Sequence, residues 1–209
     1  MLAEDAAGAA AADAETQRLE DVYVQREAED LFGDMDEAWS CPFAPSTDAR
    51  IERLLAYAQL SPRDTLLDLG CGDGRVLIRA AARTGCHCVG VDVDEKLLAA
   101  ARAEALSEGL SELCSWVEGD FCNTDFSQAT VAITYLVPSA LKKLLPCLLE
   151  HWRAAPQSEL TFITMVYDFD RRMLCPTRED AAWKLASYTR GSVIGVSESM
   201  GAAIARKVQ

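Results

Sequence analysis

The sequence predicts an α/β fold, a mostly parallel sheet with helices on both faces. Two observations lead there. Strand-like apolar runs alternate with helix-period segments from Cys41 onward, the rhythm of a parallel sheet with crossover helices. Within LLDLGCGDGRV, Leu66, Leu67 and Leu69 give a strand buried on both faces, and glycines follow at alternate positions.

Each element has its own reason. Pro42-Phe43-Ala44-Pro45 is stiff and extended, because proline fixes its own φ and restricts the residue before it. Ser46, Thr47 and Asp48 then offer helix caps. In ARIERLLAYAQL, Ile51, Leu54, Leu55 and Ala58 share one face, and Ser61-Pro62 should end the helix. TLLDLG reads as the first strand, GRVLIRAAART as a helix and CHCVGVDV as the second strand. KLLAAARAEALSEG is a helix stopped near Gly109. CSWVEGDF and ATVAITYL are the third and fourth strands, LKKLLPCLLEHW a helix interrupted or kinked at Pro146, and ELTFITMVY the fifth strand. WKLASYT and AAIARKV read as further strands, with Trp183 and Tyr188 in the core or at its rim.

The 209 residues are enough for one domain with a substantial core. The formal charge of −13 is uneven: residues 1–40 carry −10, leaving −3 for residues 41–209. Residues 1–40 therefore read as an acidic, alanine-rich and partly disordered tail, and residues 41–209 as the domain. LEDVYVQREAEDLF within the tail has the spacing of a short helix. The start has neither signal-peptide nor transit-peptide character and no run is long enough to span a bilayer, so a cytoplasmic location is expected. Nucleic acid is not an expected partner, because phosphate needs clustered lysine and arginine. The eight cysteines form no CxxC pair, and Cys86-His87-Cys88 is too tight for one tetrahedral metal. Reduced structural thiols and no metal site are expected.

The glycine-rich run is a ligand-binding turn. Gly70, Cys71 and Gly72 make the turn, Gly74 lets the helix leave closely, and Asp68 stands at the carboxyl end of the strand. Dinucleotide sites want G-x-G-x-x-G, but the pattern here is D-x-G-x-G-x-G with Arg75 where the third glycine would fall. S-adenosylmethionine carries no phosphate and presents an ammonium that Asp68 can hold. Asp92 ends the second strand, where a carboxylate can accept both ribose hydroxyls. Asp120 follows the third and can accept from an adenine amino group, with Val93 and Phe121 as apolar cover. Singly, Asp92 or Asp120 also reads as a cap or a solvated charge; three acids closing three successive strands are harder to explain separately.

The chain resembles the class I, Rossmann-like S-adenosylmethionine-dependent methyltransferases, in Asp68-Leu69-Gly70-Cys71-Gly72-Asp73-Gly74, Asp92 and Glu118-Gly119-Asp120, over about residues 42–170. Within that class it is similar to the FAM173-type branch, which includes protein-lysine methyltransferases. The similarity lies in Pro42-Phe43-Ala44-Pro45-Ser46-Thr47, Tyr135-Leu136-Val137-Pro138 and Asp168-Phe169-Asp170. The resemblance implies a seven-stranded sheet whose seventh strand lies antiparallel beside the fifth. It implies Thr47 near the methionine end of the cofactor; Thr47 reads equally as a cap. The chain departs from the branch in two respects. An acidic tail stands where the eukaryotic members carry a membrane-targeting segment, and Arg171-Arg172, read as a solvated pair, follow Asp-Phe-Asp. No Asn-Pro-Pro-Tyr follows the fourth strand, which argues against DNA adenine and glutamine acceptors.

The expected reaction is methyl transfer from S-adenosylmethionine to an amine, foremost a protein lysine. Asp168 is the expected base or orienting group, with Tyr135 and Tyr167 in support. For the tyrosines simple packing is the other reading, and for Asp168 a cap or solvated turn. A small-molecule acceptor shares every cofactor feature, and its discriminator is a closed rather than an open acceptor site. A non-catalytic cofactor- or partner-binding module is the alternative of another class, and the intact glycines and acids argue against it. A nicotinamide enzyme needs the other glycine spacing.

Overall fold

A computed structural model describes residues 44–193; the predicted tail helix and the predicted AAIARKV strand lie outside the described residues. The described chain runs α1 (Asp48–Ala58), β1 (Thr65–Leu69), α2 (Arg75–Thr84), β2 (His87–Asp92), α3 (Glu95–Ser107), β3 (Cys114–Glu118), β4 (Val131–Thr134), α4 (Pro138–Ala154), β5 (Thr161–Met165), β6 (Arg178–Asp180) and β7 (Leu185–Tyr188). The seven strands form one sheet in the order β3-β2-β1-β4-β5-β7-β6. β1 to β5 are parallel, and β7 enters antiparallel between β5 and β6. The strand order reverses at β1, between β2 and β4, and this switch point is where open α/β sheets bind ligands.

Alternation along β1 sends Leu66 to one face, against Ile51, Leu54, Leu77 and Leu98 of α1, α2 and α3. Leu67 and Leu69 go to the other face, against Leu144, Leu148 and Trp152 of α4. Thr47 caps α1, its side chain accepting from the Arg50 N–H. α1 ends earlier than Ser61-Pro62: Gln59 adopts a left-handed conformation, and its N–H bonds to the Leu55 carbonyl. α3 stops as predicted, with Gly109 at φ +70° and Leu110 N–H reaching back to Ala105 in a Schellman closure.

Two expectations are corrected. α4 is one element through Pro146. The carbonyl freed there belongs to exposed Lys142, which water can satisfy, and buried Leu144, Leu145, Leu148 and Trp152 anchor both halves. The strand beside β5 is the WKLASYT segment rather than a later one, and its outer neighbour is Arg178–Asp180, which sequence reading left unassigned.

Candidate active site

The carboxyl ends of β1, β2 and β3 converge through the main chain. Gly70 and Cys71 both donate their N–H to the Val91 carbonyl, at 2.8 and 3.1 Å. Gly72 donates to Asp92 Oδ2 at 2.8 Å, and Asp94 N–H donates to Asp92 Oδ1 at 2.9 Å. Gly119 N–H reaches the Asp92 carbonyl at 2.9 Å, which ties in the turn after β3. Gly70, Gly72 and Gly74 all have positive φ, so side chains there would strain the turn. Gly74 is further constrained by packing, since a Cβ would fall 2.8 Å from Ala101 Cβ and closer still to the Trp116 ring.

Asp68 is 4% exposed. Its carboxyl is pushed up to about 8, first by burial and then by the charge of Asp92; no hydrogen-bond donor among the described residues pulls it down. A buried carboxyl beside a second acid needs a proton or a cation. The Cys71 thiol is likewise driven up by burial, then by Asp68 and Asp92, which makes it a neutral packing group.

The other predicted cofactor residues lie along the same edge. Val93 is 56% exposed, large for an apolar side chain, and Phe121 is half-buried. Asp120 caps the 3-10 turn Phe121–Asn123, its Oδ1 accepting from Cys122 N–H at 2.8 Å. Both the cap reading and the position at the end of β3 therefore hold for Asp120. Thr47 likewise occupies its cap position and is half-buried.

The three predicted catalytic residues follow β4 and β5 but pack against opposite faces. Tyr135 belongs with the α1 face, where the buried Arg50 guanidinium lies 5.3 Å from its ring centroid. Tyr167 packs with the α4 face. Asp168 accepts from the Thr164 hydroxyl at 3.0 Å and lies 4.0 Å from Arg171. Burial raises its pKa most, Thr164 and Arg171 lower it, and Glu179 raises it again. Arg171 pairs with Glu179 and Arg172 with Asp170, so both arginines engage carboxylates.

Sequence reading missed two features of this end. Val166 has φ +69°, and Tyr167 N–H bonds back to Met165 O at 2.8 Å, a tight three-residue turn. A β-branched residue with positive φ is strained, and such strain clusters at functional sites. Thr164 as the Asp168 partner was foreshadowed only by its four-residue spacing. Cys86, Cys88 and Cys114 are buried at the opposite, amino end of the sheet, with Cys86 and Cys88 sulfurs 3.7 Å apart. No metal-binding group of three His, Cys, Asp or Glu occurs among the described residues.

Comparison with known proteins places this geometry. The ANTKMT methyltransferase domain matches residues 68–171. A protein-lysine N-methyltransferase of Saccharolobus islandicus is 34% identical over 106 residues, 50% of this chain and 66% of that one. An ATP synthase lysine N-methyltransferase of Caenorhabditis elegans is 31% identical, over 52% of this chain and 60% of that one. The chain thus spans just under two thirds of the length of these curated relatives. A crystal structure of an RNA methyltransferase from Salinibacter ruber, in complex with S-adenosyl-L-homocysteine, is 32% identical with a TM-score of 0.62, covering 74% of this chain and 97% of that one. The unpartnered Asp68 carboxyl fits the cationic cofactor of this class. A glycine turn read as built for a cation, a seven-stranded sheet with an antiparallel β7, and these matches agree: the chain belongs to the class I S-adenosylmethionine-dependent methyltransferases, in the family of the ANTKMT methyltransferase domain.

Proposed function

We propose that this chain moves a methyl group from S-adenosylmethionine to the side-chain amine of a protein lysine. The observation that carries the reading is Asp168: a partly exposed carboxylate at the end of β5, fixed by Thr164 and made more basic by partial burial. The names of the Saccharolobus and Caenorhabditis relatives support the lysine. On this reading residues 41–209 form the catalytic domain and residues 1–40 an acidic appendage. The cytoplasmic placement expected from sequence stays part of the proposal. Among the described residues no helix is long and apolar enough to cross a membrane.

When bound, the cofactor supplies a methyl group on a positively charged sulfur that leaves as a neutral thioether. Asp68 holds the ammonium, Asp92 the ribose hydroxyls and Asp120 the adenine amino group, with Val93 and Phe121 against the ring. Gly70, Cys71, Gly72 and Gly74 keep the turn close, and Thr47 flanks the methionine end. Asp168 takes the proton that the lysine must lose before its lone pair can attack. Tyr135 and Tyr167 line the approach and orient the amine. Orientation and loss of water supply most of the remaining acceleration.

The name of the Salinibacter structure favours RNA as a second acceptor class. Charge argues against it here. Arg53, Arg75, Arg79, Arg83, Arg102, Arg171 and Arg172 each face a carboxylate, which leaves little cationic surface for phosphate. The test is incubation of the protein with methyl-labelled S-adenosylmethionine and a cell lysate. Protease-sensitive label recovered as methyl-lysine is the expected result. Label lost to ribonuclease, or present only in small metabolites, overturns the lysine reading.

A further inference from the structure

Tyr188 ends β7 opposite Phe162 of β5, which puts its ring on the α4 face beside Phe162 and Thr164. The residue is fully buried. Its ring meets Phe169 edge-on, with centroids 5.2 Å apart, and Phe169 in turn meets Phe162 at 5.6 Å. Its hydroxyl has no hydrogen-bond partner at proper distance and angle. Such an orphan is uncommon in an interior, because a desolvated O–H with nothing to bond is costly.

The hydroxyl nevertheless has polar company. Burial raises its pKa most, and then Asp168; the Thr164 hydroxyl, the Phe169 backbone and Arg171 act in the other direction. The net result, about 12, keeps the phenol protonated and therefore a donor at neutral pH. Thr164 spends its own proton on Asp168 Oδ1 at 3.0 Å, so its oxygen is left able to accept.

We propose that Tyr188 is a positioning residue for Asp168, its buried hydroxyl donating to the Thr164 oxygen so that Tyr188, Thr164 and Asp168 form one directed chain of hydrogen bonds. This rests on the reading of Asp168 as the base. No proton leaves Tyr188. The chain polarises the Thr164 hydroxyl toward the carboxylate and fixes which oxygen stays open to the acceptor amine. The charges facing Asp168 are Arg171 beside it on the chain and Glu179 of β6, with the neutral Tyr188 phenol from β7.

Tyr188→Phe tests this, because it keeps the ring and both aromatic contacts and removes only the oxygen. The Asp168 carboxyl is followed by carbon NMR titration with S-adenosylhomocysteine present, and label transfer from S-adenosylmethionine to a protein extract is followed across pH. Tyr188→Phe should raise the Asp168 midpoint by about half a unit. It should slow transfer roughly 5- to 20-fold, move the acid limb upward and leave cofactor affinity unchanged. Thr164→Val should do the same, the double variant no more than Thr164→Val alone, and Thr164→Ser should restore the parent behaviour. An unmoved Asp168 midpoint in Tyr188→Phe overturns the proposal, as does a loss of rate that only tracks loss of melting temperature. Asp168→Asn separates the two ideas. If it keeps full rate, the base reading falls; if it abolishes transfer while Tyr188→Phe changes nothing, only the chain of hydrogen bonds falls.

Discussion

The backbone N–H of Gly72 donates to the Asp92 carboxylate at 2.8 Å, so the acid that closes β2 also holds the glycine turn that leaves β1. Asp92 Oδ1 is tied in turn to the Asp94 N–H. One side chain therefore shapes the cofactor edge and presents charge to it.

Asp92→Ala removes both roles. Hydrogen bonds to a charged group contribute about 1.5–3 kcal/mol, so S-adenosylmethionine affinity should fall roughly 10- to 100-fold by calorimetry. Asp92→Asn keeps an oxygen for Gly72 and should lose less. Equal, small losses in both would contradict the assigned role.

Asp68 makes cofactor affinity depend on pH. In the free protein its carboxyl holds a proton up to about pH 8, whereas an ammonium ligand needs the carboxylate. Affinity should rise as pH increases toward 8 and then level off. Below that plateau, calorimetry in buffers of different ionisation enthalpy should show a proton released on binding. Asp68→Asn should abolish the release.

The same group sets a stability slope. Its folded-state pKa of about 8 is above the ordinary 3.8, so between those values the folded protein holds a proton that the unfolded chain gives up. Stability from Asp68 is fully present below about pH 4 and is lost as pH rises through 8, at up to ~1.4 kcal/mol per pH unit. Urea titrations of the cofactor-free protein across this window should show that component, and Asp68→Asn should flatten it.

Gly74 combines φ +74° with a Cβ position already filled by Trp116 and Ala101. Gly74→Ala should destabilise the fold by about 2–4 kcal/mol, from left-handed strain and overpacking together. Pairing it with Trp116→Leu should recover part of the packing share and none of the strain. A urea midpoint unchanged in Gly74→Ala would refute the account.

The cofactor edge was legible because its chemistry is local. The positions of Asp68, Asp92 and Asp120 follow from where each apolar run stops, and the alternating glycines mark the turn between them. The acceptor side was less legible, because it is assembled from distant segments. Tyr188 and Thr164 share a face only because β7 pairs with β5, which no local period reveals. Arg178–Asp180 was invisible as a strand because three charged residues carry no apolar alternation; it is an edge held by β7 and by Arg53, whose Nε lies 2.6 Å from Asp180. Pro146 misled in the other direction. A single proline is weaker than the buried leucines on either side of it.

β7 is the last of the described strands to be made, yet it takes an inner place in the sheet, between β5 and β6. During synthesis, the flank of β5 that carries Thr164 stays bare until Leu185–Tyr188 leaves the ribosome, whereas β1 to β3 have long been available. The growing polypeptide thus acquires the parts that grip the nucleoside before those that brace the residue at the end of β5.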